Sequence, residues 1–212
     1  VISFISIAGV TLGVAALILV LAVMTGFHDG VRQQTLGNVP HVLVQKHGGA
    51  LDGSEALSRK IRELSPHVLS AAPYITKEAM LLSQSNVAAV NVKGVERDNK
   101  VFDLELLTKG MRPVEEDLFD QDTGLPGIVI GLDTATTLGV SIGDSVNVIP
   151  PMFTITPFGM IPKMKPFQVV GIFSKRGGFI DTYFAYISLA QAQAFFDMGE
   201  TVTGVEIEVD GF

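Results

Sequence analysis

The side chains able to do covalent or metal chemistry are few here, and their spacing does not suit it. Four histidines, His28, His41, His47 and His67, are scattered, and no two stand one helical turn apart as a zinc-binding H-E-x-x-H would require. There is no cysteine, so disulfide scaffolds, thiol nucleophiles and thiolate metal sites are excluded. The acidic run Glu115-Glu116-Asp117 reads as a solvated face rather than as a metal or acid/base pair. No G-x-x-x-x-G-K-[ST] is present, and Gly177-Gly178 is too little glycine to cradle a phosphate. The neighbouring Lys175-Arg176 reads as a solvated tip or a partner contact. No G-x-S-x-G and no Ser-His-Asp grouping can be drawn. The reading is a non-enzymatic chain with no catalytic residue, no metal site and no cofactor.

The one stretch with unusual chemistry is apolar. Pro150 to Pro166, PPMFTITPFGMIPKMKP, holds five of the ten prolines. It also holds Met152, Phe153, Ile155, Phe158, Met160, Ile161 and Met164, and its only charges are Lys163 and Lys165. The flanks SVNVI (145–149) and FQVVGIF (167–173) are β-branched and apolar and read as strands. Proline removes an amide donor and fixes φ, so the stretch itself reads as a long loop rather than a strand or helix. Fully hiding a Phe, Met or Ile side chain stabilises by about 1.5–3 kcal/mol. Such a loop either folds back as a core plug or protrudes and grips a partner. In a protruding arm the prolines would limit the entropy lost on docking and keep stray strands from pairing with it.

The elements that must position this loop begin with a membrane segment. Val1 to Phe27 contains no Asp, Glu, Lys or Arg. As a helix it spans about 40 Å, more than the ~30 Å hydrocarbon core of a bilayer. A secretory signal would need an initiating Met, a basic leading region and a shorter apolar run. The segment therefore reads as a transmembrane helix inside a longer protein. Gly9 and Gly13 form the small-xxx-small spacing of GVTLG, a candidate for close helix packing. Residues 28–37 are polar and read as a helical stalk, broken by Asn38-Val39-Pro40. The rest of the chain carries the whole net charge of −7, which argues against nucleic acid as the main partner.

Residues 38–212 read as one domain on one side of the membrane. HVLVQK (41–46) is a strand, and Ser54 is a candidate cap for the helix SEALSRKIREL, with Leu57, Ile61 and Leu64 on one face. Residues 68–75 and 77–83 form two strands or one bent strand, and 86–95 a further strand. An apolar cluster at 102–107 precedes a loop at 109–124. Strand 127–130, helix 132–138 closed by Gly139, and the turn Ile142-Gly143-Asp144 lead to the loop. Beyond it come the loop SKRGGFID (174–181), strand 183–187, a helix 189–196 capped by Ser188, and the alternating strand TGVEIEV (203–209). The class is α+β, with two lobes allowed.

The apolar helix ending in AVMTGF (22–27), the segment VIGLDTATTLGVSIGDSVNV (129–148) and the strand QVVGIF (168–173) together resemble the MacB/FtsX-type ABC permeases. More narrowly they resemble the lipoprotein-releasing permease subunits LolC and LolE. The resemblance covers essentially the whole chain. It implies a first transmembrane helix (1–37) followed by a MacB-like periplasmic core domain (38–212), in the bacterial inner membrane. TPFGMIP (156–162) resembles the hook of LolC-like subunits and of the hybrid LolF type, an arm (150–166) that recruits the periplasmic chaperone LolA. The residues implied in that contact are Pro151, Met152, Phe153, Ile155, Pro157, Phe158, Met160, Ile161 and Pro162. Lys163 and Lys165 at the base suit an acidic rim on the chaperone. Asn147 is neutral where LolC-like relatives can carry a basic residue. The other implied partners are a LolD-like ATPase, a second permease subunit (LolE-like or a second copy) and a lipoprotein substrate. Three further transmembrane helices are expected beyond Phe212. The alternatives are a MacB-like efflux or FtsX-like mechanotransmission permease docking a periplasmic adaptor, and a single-pass receptor.

Overall fold

The structure is a computed structural model that describes residues 2–36, 40–96, 124–151, 153–156, 159–173 and 183–210. It divides into two compact units, Val1–Val39 and Pro40–Phe212. The apolar cluster at 102–107, the acidic run at 115–117 and the loop at 174–181 lie outside the described residues.

The first unit is helix α1, Ile2–Leu36. Its apolar part, Ser3–Phe27, is 25 residues long and buries nothing against protein. That length rises about 37 Å, enough for the ~30 Å hydrocarbon layer. Phe4, Leu12, Leu19 and Phe27 are all exposed. A helix apolar all round is stable in lipid because every backbone group is satisfied internally. The Thr11 hydroxyl fits the same rule: it donates to the carbonyl of Ile7 at 2.8 Å. The helix runs on past Phe27 to Leu36, as the polar stalk predicts.

The second unit is α+β, as expected. Its strands are β1 (Val42–Gln45), β2 (Val68–Leu82), β3 (Val87–Val95), β4 (Gly127–Gly131), β5 (Ser145–Ile149), β6 (Phe153–Thr156), β7 (Gly159–Pro162), β8 (Lys165–Phe173), β9 (Phe184–Ser188) and β10 (Gly204–Val209). The helices are α2 (Ser54–Leu64), α3 (Leu132–Leu138) and α4 (Leu189–Phe195). Eight strands form one mixed sheet in the order β1-β10-β2-β3-β9-β4-β8-β5. β5 also pairs with β2, at Met80↔Ile149 through Leu82↔Asn147, so six of the eight strands close on themselves. Closure depends on the length of β2. Its first half pairs with β10 and its second half with β3, and Tyr74 is shared by both ladders. The two stretches 68–75 and 77–83 are thus one strand, Val68–Leu82, 15 residues long.

The closed sheet encloses the main core, including Ile75, Leu81, Val92, Ile128, Val148, Phe167 and Ile187. Strand alternation sets this up: in β5, Val146 and Val148 are buried while their neighbours are not. Leu138 of α3 and Ala192 and Phe195 of α4 join the same core. A second cluster, Val95, Val129, Phe173 and Tyr186, lies apart from it. A third, Ile61 of α2 with Ala71, Val205 and Ile207, is built on β2 and β10.

Two local expectations are corrected. Ser54 does not cap α2: it is the first helical residue and is buried, and Gly53, at φ 65°, occupies the capping position. Leu64, expected on the packed face with Leu57 and Ile61, is 73% exposed, because the helix ends there and Ser65 turns to extended backbone. Ser188 does cap α4, accepting from the amide of Gln191 at 3.3 Å. Gly139 takes φ +67° and donates to the Thr136 carbonyl at 3.2 Å, closing α3.

Candidate partner-binding site

β5 and β8 are antiparallel neighbours, paired from Ser145↔Gln168 to Val148↔Lys165. The chain between them does not form an unstructured loop. β6 and β7 pair antiparallel, Phe153↔Pro162, Thr154↔Ile161, Ile155↔Met160 and Thr156↔Gly159. They make a two-stranded ribbon separate from the eight-stranded sheet. This corrects the expectation that proline forbids strands here. Both strands of a two-stranded ribbon are edges, where proline is tolerated. The prolines also keep to strand ends: Pro150 and Pro151 precede β6, Pro162 closes β7, and Pro166 is second in β8, opposite Asn147. Met152, Pro157 and Phe158 lie outside the described residues.

The ribbon's two legs meet the domain differently. Pro150 is buried at the end of β5 and Pro151 is exposed. Neither has an amide hydrogen to donate. The second leg carries charge. Lys163 Nζ donates to both carboxylate oxygens of Asp197, at 2.8 and 2.7 Å, and stands 5.7 Å from the ring centroid of Phe195. Lys165 Nζ donates to Gln191 Oε1 at 2.7 Å and stands 5.7 Å from the ring of Phe167. Phe167 and Phe195 themselves meet edge to face at 6.0 Å. Both lysines therefore have partners on α4 or just after it. The acidic rim that sequence reasoning assigned to a partner has a counterpart within the domain.

Beside the ribbon's first leg the surface is hollowed. A groove of about 350 Å³ is lined by Glu78, Met80, Ala89, Asn91, Pro151 and Tyr183, among others. Met80 is 44% exposed and Tyr183 64%. The site thus joins an apolar ribbon, a mostly apolar groove at its foot and a lysine-anchored second leg.

Sequence reasoning missed Asp197, Gln191, Met80 and Tyr183. The one signal for Asp197 is the doublet Asp197-Met198 before Gly199, a turn at the end of an apolar helix. Met80 and Tyr183 carry no motif, and only the closure of β5 onto β2 brings Met80 near Pro151. Gly9 and Gly13 lie one turn apart on α1, and a Cβ added at either would meet nothing within 4 Å. Among the described residues no group of three or more His, Asp or Glu is placed to hold a metal ion. His67 Nδ1 lies 2.8 Å from Asp210 Oδ1, and His41 Nδ1 accepts from the Val209 amide at 3.1 Å.

Residues 3–211 match the family model of the MacB-like periplasmic core domain. The chain is 30% identical to the lipoprotein-releasing system transmembrane protein LolC of Neisseria meningitidis serogroup B, over 98% of this chain and 49% of that protein. It is 28% identical to the lipoprotein-releasing system transmembrane protein LolE of Haemophilus influenzae, over 95% of this chain and 48% of that protein. The chain thus spans about half the length of the curated relatives it matches. Among solved structures it is similar in fold to the periplasmic region of MacB from Actinobacillus actinomycetemcomitans. The TM-score is 0.50 at 15% identity, covering 84% of this chain and 80% of that one.

Proposed function

This chain belongs to the MacB-like periplasmic core domain family, and on that footing we propose that it is the first membrane helix and periplasmic domain of a LolC-type permease subunit. The permease would sit in the bacterial inner membrane and take part in lipoprotein release. Its ribbon would recruit a LolA-like periplasmic chaperone for handover toward the outer membrane. ATP hydrolysis would fall to a separate LolD-like subunit, and a second permease subunit, LolE-like or another copy, would complete the assembly. The α1 helix would carry the motion of the ATPase to the 40–212 unit. Gly9 and Gly13 would let a neighbouring helix approach closely.

The observation that carries this reading is the separate β6–β7 ribbon, set between β5 and β8 and bearing the apolar run of residues 152–161. A two-stranded ribbon is marginal in water by itself, so apolar side chains on it are better accounted for by a partner than by the ribbon's own stability. Lipoprotein carriers must shield acyl chains, and a partner with an apolar opening would accept an apolar ribbon. The Lys163 and Lys165 contacts within the domain assign them first to holding the ribbon, with the partner-facing role left to the ribbon itself.

Phe158→Ala and Ile161→Ala test this. Each is expected to weaken binding of the cognate chaperone about tenfold, the effect of losing a buried interface anchor of roughly 1.4 kcal/mol. The melting temperature of the domain is expected to stay unchanged. A large fall in melting temperature with intact chaperone affinity would return these residues to the core and overturn the reading.

A further inference from the structure

The ribbon's second leg is fixed to the domain at Lys163, and the geometry of that fixing is specific. A single ammonium bonds both oxygens of one carboxylate. Asp197 holds that carboxylate at φ 55°, and it is the one non-glycine residue with positive φ among the described residues. A side chain in that backbone region is uncommon, with Asp and Asn the types that tolerate it best. The turn places Asp197 directly after the C-terminus of α4, and α4 is itself immobilised by Ala192 and Phe195, both buried in the main core. Two residues further along the leg, Lys165 reaches Gln191, on α4 itself and six residues before Asp197. Met164 between them is 53% exposed, so apolar packing does not do this work. The first leg enters through Pro150-Pro151 and has no charged side chain.

We propose that Asp197 is a positioning residue for the ribbon: its pair with Lys163, braced by Lys165–Gln191, clamps the second leg to α4 and sets the direction in which the ribbon is presented to its partner. This rests on the reading of the ribbon as a docking element. The clamp would keep the ribbon, a two-stranded element outside the eight-stranded sheet, from swinging about its foot. A ribbon held in one direction loses less freedom on docking than a free one. The Asp197 side chain is 70% exposed and that of Lys163 31%, so the pair is partly screened by solvent and its removal is expected to leave the fold intact. It acts on direction rather than on stability.

The test uses the absence of cysteine from these 212 residues. Nitroxide labels are placed at Thr156→Cys on the ribbon and Ser85→Cys in the turn joining β2 to β3 of the intact membrane chain in detergent, and their separation is measured by pulsed electron resonance. Asp197→Asn keeps a residue suited to positive φ and removes only the charge. It is expected to broaden the distance distribution, and Lys163→Met is expected to do the same. Lys163→Arg, which can still pair with both carboxylate oxygens, is expected to keep the distribution narrow. Chaperone affinity should weaken roughly two- to fivefold in the two broadened variants, the fold-change an exposed ion pair is worth. An unchanged distribution in both Asp197→Asn and Lys163→Met would overturn the clamp. A wild-type chain that binds no chaperone would instead overturn the docking reading, and the distance measurement would still decide the clamp.

Discussion

Glu206 is a carboxylate with only 3% of its side chain exposed, and Lys93 makes it tolerable from 2.5 Å away. The two reach across β2, since Glu206 lies opposite Ala72 and Lys93 opposite Thr76. Lys93 also stands 5.5 Å from the ring of Tyr74, whose hydroxyl accepts from Gln45 Nε2. Burial pushes the Tyr74 phenol above its ordinary value; the Gln45 hydrogen bond opposes that shift and the Glu206 charge adds to it. One carboxylate oxygen, Glu206 Oε2, is buried without a hydrogen-bond partner, so the charge relies heavily on Lys93. Lys93→Ala would leave that charge buried and unpaired. It is expected to cost about 3–5 kcal/mol of stability in urea melts of the 40–212 unit. None of this was legible in the sequence. TGVEIEV alternates as a half-exposed strand does, which would send Glu206 to solvent. It is buried because β10 lies between β1 and β2 and is covered on both faces, a property of sheet order that the strand's own residues do not state.

At the scale of elements, local signals fared better than partnerships. The α4 cap at Ser188, the Gly139 terminus of α3 and the strands flanking the ribbon all follow from residue types that fix local backbone. The ribbon itself was hidden by its prolines. Their rule applies to strands with two neighbours, and these strands have one. Gly94 shows the reverse case, a residue with no visible role in the sequence. It lies in β3 under α4, and a Cβ there would collide with that of Ala192. Gly94→Ala is therefore expected to lower stability by about 1–3 kcal/mol through overpacking. The check is a thermal melt beside Gly49→Ala, a control at an open position. Equal melting temperatures for the two would show that α4 can shift away from β3, and would weaken its standing as a rigid mount for the ribbon.

For the whole molecule, the long apolar helix was the most legible feature, because an uncharged run of this length marks itself by composition alone. The α+β class and the family were legible from ordered short segments spread along the chain, each weak alone. Closure of β5 onto β2 was not, since three residue pairs between distant strands leave no local mark. That closure brings Met80 of β2 beside Pro151, so that both line the groove at the ribbon's foot. Recruitment of a lipoprotein chaperone by the ribbon, as proposed, is tested most directly by removing the ribbon. Met152–Pro162 should be replaced by a short Gly-Ser link, with Lys163, Lys165 and all of β5 and β8 retained. Capture of the chain by immobilised LolA-like chaperone is then measured beside circular dichroism. Loss of capture with an unchanged spectrum is expected; capture at the wild-type level by the ribbonless chain would overturn the proposed role of the ribbon.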